Sequence, residues 1–132
     1  MKMKSFTNGQ FFLSWDKVFK GDLSPLEAYK AKKIADFLTD EFKKFNEIRT
    51  SIIEKYGDKD ENGKLLIVNG ELVIKPENQE NVNMEAEQLQ SIELDSPPHI
   101  LDYNELCKCK KLELSGLDLA LLEDLLDFRN VK

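Results

Sequence analysis

A helical stripe of apolar residues runs for about nine turns through the first half of this chain. Leu26, Tyr29, Ile34, Leu38, Phe42, Phe45, Ile48, Ile52 and Tyr56 recur at the spacing of one helix face. Ser24-Pro25 opens the run, Ser as N-cap and Pro at the first helical position. Glu27 completes a capping-box pattern, and Gly57 supplies the stop. The spacing therefore predicts one helix over 25–56. Lys32–Asp36, Asp40–Lys44 and Lys43–Glu47 lie four apart on its polar side. Each such pair is worth only ~0.2–0.5 kcal/mol, so the helix needs its stripe covered, by the same chain or by a neighbour.

The remaining residues can supply that cover. A length of 132 residues suits one core and not two. Thr7 or Asn8 caps a first helix whose Phe11, Phe12, Trp15, Val18 and Phe19 share a face. Lys20-Gly21 ends it, Gly being suited to the left-handed position beyond a helix. Residues 8–57 thus read as a helical hairpin. A β-hairpin over 64–75 follows, with Leu65–Val68 and Glu71–Ile74 flanking the turn pair Asn69-Gly70. Pro76 ends its second strand. Within 76–107 the pattern predicts a helix around 82–90 and a strand-like Ser91–Leu94, with mobile stretches near 76–81 and 95–99. The C-terminal part, 110–129, reads as a short strand at Leu112–Leu114 and then a helix. Ser115 caps that helix, which carries Leu117, Leu121, Leu122, Leu125 and Leu126. The expected fold is a single α+β domain over 1–132: an N-terminal helical hairpin with one long helix, a small antiparallel β-hairpin, and a short C-terminal helix packing back.

The net charge of −6 argues against direct nucleic-acid binding, which draws on excess Lys and Arg, and against an anionic membrane surface. No apolar run approaches the ~20 residues of a membrane span. Lys2 and Lys4 imitate the start of a signal peptide, but Asn8, Gln10, Asp16 and Lys17 break the stretch behind them. The expectation is a cytoplasmic protein in which Cys107 and Cys109 are thiols.

Few residues suggest chemistry. Asp58-Lys-Asp60-Glu-Asn62-Gly63 matches the opening of a calcium loop, with oxygens at positions one, three and five. Position twelve should be a bidentate Glu and is Asn69, and strands follow where a helix should. The loop therefore reads as a polar turn, with Asp58, Asp60 and Asn62 as the weak metal candidate. His99, Cys107 and Cys109 give three soft ligands where structural zinc takes four. No nucleophile elbow, phosphate-binding glycine loop or paired acid and base is present. No cofactor, no metal and no catalytic residue are expected, and the chain reads as no enzyme.

Surfaces offer more. Arg49 borders the long stripe and could reach an acidic partner, although such a side chain more often lies along its own core. The aromatic set Phe11, Phe12, Trp15 and Phe19 could face a partner, and more often such a set is core. From Pro76 to Cys107 there are eight acids and no Lys or Arg. Glu85, Glu87, Glu93 and Asp95 lie in that stretch, and with Arg49 they are the candidate partner-binding residues. Lysines elsewhere in the fold could equally neutralise them.

Several stretches together carry a resemblance. They are Thr7-Asn8-Gly9-Gln10, Ala28-Tyr29-Lys30, Glu47-Ile48-Arg49, Tyr56-Gly57 running on to Lys64, and Leu114-Ser115-Gly116-Leu117-Asp118-Leu119. In this order they resemble an uncharacterised family of small proteins encoded by phages and prophages of Gram-positive bacteria. The resemblance implies a phage or prophage origin and brings no catalytic residues with it. It also makes 58–63 look like a family turn. The expected role is a non-catalytic factor that binds a host or phage protein in the cytoplasm of the host bacterial cell. The alternatives are a structural or assembly component of the virion, in its tail region, where a homo-oligomer would form through the long helix, and an acidic mimic of nucleic acid that blocks a basic host protein.

Overall fold

Two polar caps set the first two helices. In the computed structural model, which describes residues 1–129, Asn8 Oδ1 accepts the Gln10 amide at 3.0 Å and α1 follows over Gly9–Phe19. Ser24 Oγ accepts the Glu27 amide at 3.5 Å, and α2 runs over Pro25–Tyr56. Both agree with the sequence pattern. The stop at Gly21 works differently from the expectation, since its φ is not positive: its N–H simply donates to Val18 O at 3.0 Å. Gly57 is required by a close approach. A Cβ there would stand 2.6 Å from Ile53 O and 2.8 Å from Leu65 Cδ2.

The buried face of α2 is rotated from the expected stripe at its N-terminal end. Ala31, Ile34, Leu38 and Phe45 are buried, as are the acids Glu27 and Glu41, while Leu26 and Tyr29 stand exposed. Glu27 can take an inward position because its carboxylate is satisfied: Oε2 accepts the Asp102 amide at 3.1 Å and Oε1 meets Lys30 Nζ at 3.2 Å. The capping box is accordingly half-formed, its Glu being used elsewhere. Glu41 likewise takes Lys44 at 3.0 Å, and so replaces the expected Asp40–Lys44 pair. Phe6, from a 3-10 turn at Met3–Thr7, closes an aromatic core against Phe42 at 5.5 Å and Phe45 at 5.8 Å.

The hairpin has the expected turn but short strands. Asn69 (φ 54°) and Gly70 (φ 80°) take the left-handed angles of the turn between β1 (Ile67–Val68) and β2 (Glu71–Leu72). Ile67 pairs with Leu72 and Val68 with Glu71. At the base Val73 N–H still donates to Leu66 O at 3.0 Å, but Asp58 takes the other two groups, its N–H donating to Val73 O at 2.8 Å and its carbonyl accepting the Leu66 amide at 2.7 Å, so the two-stranded ladder stops there. Pro76 then acts as a helix start: α3 covers Pro76–Gln90, and the stretch expected to be mobile at 76–81 forms its first turns. The most extensive helix packing is between α2 and α3, so α3 as well as α1 covers the stripe.

The C-terminal third departs most from the sequence reading. Ser91–Leu94 forms one bridge only, Lys2 with Glu93, flanked by Met3 N–H to Ile92 O at 2.9 Å and Leu94 N–H to Met1 O at 2.8 Å. Leu112–Leu114 is unpaired. The pairing here is parallel, between β3 (Leu101–Asp102) and β4 (Leu126–Asp127), in the register Leu101 to Leu126. A parallel pair needs a crossover, and α4 (Tyr103–Cys107) and α5 (Gly116–Leu121) lie within it. The last strand thus follows the final helix where the sequence suggested the reverse. Leu101, Leu106, Leu122, Leu125 and Leu126 join the same core as Phe11 and Phe45. The fold is α+β. Among the described residues no helix is long and apolar enough to cross a membrane.

Candidate functional site

Arg49 sits where α2 and α3 part. Phe45, Arg49, Ile52 and Ile53 come from one flank of α2, and Val82, Ala86, Leu89 and Gln90 from one flank of α3, at helical spacings that align each set. With Phe6 and Thr7 they line a groove of about 320 Å³. The Arg49 guanidinium lies 5.3 Å from the centre of the Phe45 ring, and Nη2 donates to Asn46 Oδ1 at 2.6 Å. Among the described residues no carboxylate pairs with it.

The four acidic candidates are not gathered into one site. Glu85 takes Lys55 at 3.1 Å, and contacts with Tyr56 first and Glu85 second push the Lys55 ammonium up. Glu87 is exposed beside Met84, Gln88 and Ser91. Two positions along a helix from Glu85, it points away by about 200°. Glu93 meets the Met1 ammonium at 3.4 Å. Asp95 is exposed and makes a small contribution to raising Lys44, whose main cause is Glu41. The acid-only stretch is therefore partly neutralised from elsewhere in the fold.

The 58–64 loop is closed by its own hydrogen bonds. Asp60 Oδ1 accepts the amides of Asn62 at 2.8 Å and Lys64 at 3.0 Å, and Asp60 N–H donates to Lys64 O at 2.7 Å. Gly63 takes a φ of 78°. Asp58 Oδ1 accepts the Lys59 amide at 3.0 Å, while Asn69 lies at the opposite end of the hairpin. His99 packs its ring edge-on to Tyr29 at 5.9 Å. Cys109 is buried, directed at Asp22 O (3.5 Å) and Glu105 O (3.7 Å), and burial pushes its thiol up. Among the described residues no three His, Cys, Asp or Glu side chains form a group able to hold a metal ion.

One polar cluster escaped the sequence reading. Asp118 is 1% exposed; Ser14 Oγ donates to its Oδ1 at 2.5 Å, and Lys17 Nζ and the Ser115 amide reach Oδ2 at 2.9 Å each. The Ser14 hydroxyl first, then Lys17, then the Ser115 amide hold this carboxyl well below the usual range, against the opposing effect of burial. So strongly stabilised an anion is a poor general base, and Ser14 has no access to solvent, so the trio is a lock between α1 and α5. Its signal in the sequence was Ser115-x-x-Asp118, a capping box that the structure completes in both directions.

No family model matches the chain, and neither does any curated protein or solved structure compared with it.

Proposed function

We propose that this chain is a non-catalytic protein-binding factor of the phage or prophage kind, acting by occupying a surface on another protein. The observation that carries the reading is the β1–β2 hairpin. Beyond its half-buried base, Ile67 and Val68 stand 60% and 51% exposed, with Leu72 exposed opposite Ile67. Alternation places Ile67 and Leu72 on one face of the ribbon and Val68 on the other. A two-stranded hairpin with apolar side chains on both faces gains nothing from water, and its outer strand edges are open to a further strand. Such a tip suits insertion against a partner.

The acidic-mimic alternative draws no support from a charge distribution in which Glu85, Glu93 and Glu105 are paired with Lys55, the Met1 ammonium and Lys108. The test is affinity purification of C-terminally tagged protein from host cells, beside a variant carrying Ile67→Ser and Leu72→Ser. A partner retained by the parent and lost by the folded variant supports the proposal. A partner held equally by both, or none held by either, refutes it.

A further inference from the structure

We propose that the groove between α2 and α3 binds a medium-chain monocarboxylate, its apolar tail on the groove floor and its carboxylate on Arg49. The site lies apart from the hairpin tip and does not depend on protein binding. Three observations carry it. The floor is apolar and drawn from three elements: Phe45 and Ile52 from α2, Ala86 and Leu89 from α3, and Phe6 from the N-terminal turn. The volume, about 320 Å³, falls at the low end of the range of about 300–1,000 Å³ for small-ligand sites. It leaves room for one short tail and none for a helix, whose diameter is about 10–12 Å.

The third observation is charge. In a chain of net charge −6, Arg49 sits at the mouth of an apolar groove with no carboxylate partner among the described residues. A guanidinium carries five N–H donors in a planar fork suited to a carboxylate held by two bonds. Asn46 takes one of them, at Nη2, and the guanidinium carbon lies over the Phe45 ring, 5.3 Å from its centre. A singly charged head suits this one cation, whereas a doubly charged phosphate would meet the field of an acidic protein with only one Arg to offset it. The pattern is that of an amphiphile site: a largely apolar lining with a few polar groups, of which Arg49 alone is charged and Thr7 and Gln90 are neutral.

The experiment is a titration of the full ¹⁵N-labelled chain with decanoate, kept below its micelle concentration, followed by amide shifts. Decylammonium serves as the control of opposite charge. Decanoate should give saturable shifts centred on Phe6, Arg49, Ile52, Ala86 and Leu89. Decylammonium, or decanoate with Arg49→Gln, should bind about tenfold more weakly, since a charge-assisted bond is lost. Ala86→Leu, which fills the floor and leaves Arg49 in place, should abolish the shifts. No saturable change through millimolar decanoate, equal binding of decylammonium, shifts scattered over the surface (an adventitious additive only), or undiminished binding by either variant would each overturn the proposal.

Discussion

Ser14 and Asp118 lie 104 residues apart in sequence and meet at 2.5 Å, hydroxyl to carboxylate, in the interior of the fold. The bond joins α1 to the start of α5, and with Lys17 and the Ser115 amide it gives the buried carboxylate a full set of donors. Removing the acceptor would strand the Ser14 hydroxyl and leave the Lys17 ammonium without its partner. Asp118→Ala is expected to cost about 3 kcal/mol, at the scale of breaking a buried charged pair. Urea denaturation of the variant against the parent measures it, and a loss under 1 kcal/mol would show the lock to be marginal.

The same carboxylate gives the protein an acid limb. The folded-state pKa of Asp118 is depressed below the value of about 3.9 of an unfolded chain. Its stabilisation is therefore complete above about pH 4 and is lost as pH falls below that toward the folded pKa. Asp127, held at about 2 by the fork of Arg129, titrates in the same window, but the Arg129 side chain is exposed and screening weakens the pair's share. Asp118→Asn should thus be less stable at neutral pH and show a flatter fall in stability below pH 4. Thermal melts across pH 2–7 compare the two. Parallel acid limbs would assign the effect to other carboxyls.

The local elements of this fold were legible because their signals are local. Asn8, Ser24 and Ser115 each cap the helix that their spacing announces, and Asn69-Gly70 makes the turn that its backbone freedom favours. What escaped is long-range. No periodicity reveals that Leu101 pairs in parallel with Leu126, since two residues per strand are too few to alternate. Burial of Glu27 in place of Leu26 depends on an amide supplied 75 residues later. Pro76 carried two meanings, strand stop and helix start, and only the packing of α3 on α2 decides between them. Of the candidate site residues, Arg49 could be placed beside the stripe, but its groove needs α3, and the acids could be counted without showing which lysine each would meet.

Gly57 offers a test of the junction between the long helix and the hairpin. Its φ of −66° is open to any residue, so backbone strain is not the reason for a glycine there. The reason is proximity: an added methyl would press on the Ile53 carbonyl and on Leu65. The carbonyl belongs to the helix and cannot move far, and Leu65 is bridged to the loop through Lys59. Gly57→Ala should destabilise by about 1–3 kcal/mol, the usual cost of overpacking. Its effect should be largest on amide exchange at Asp58, Leu66 and Val73, whose hydrogen bonds tie the loop to the hairpin base. An unchanged exchange pattern there would mean that the contact relaxes freely.

Glu27 tests whether the rotated face of α2 is held by a hydrogen bond or by shape. Its side chain is 2% exposed, an unfavourable place for an anion unless its partners matter. Lys30 supplies the charge and the Asp102 amide supplies the buried donor that begins α4. Glu27→Ala removes both and leaves the part-buried amide without its acceptor, which should cost about 1–3 kcal/mol. Glu27→Gln keeps a carbonyl oxygen for the amide and gives up the ion pair, and so should cost distinctly less. The two variants separate by denaturation midpoint and by exchange of the Asp102 amide, protected in the Gln form and fast in the Ala form. Equal losses in both would place the stabilisation in the charge pair with Lys30. In that case the inward turn of Glu27 would be a consequence of the packing of α2 against β3, with no part in fixing the parallel pairing of β3 with β4.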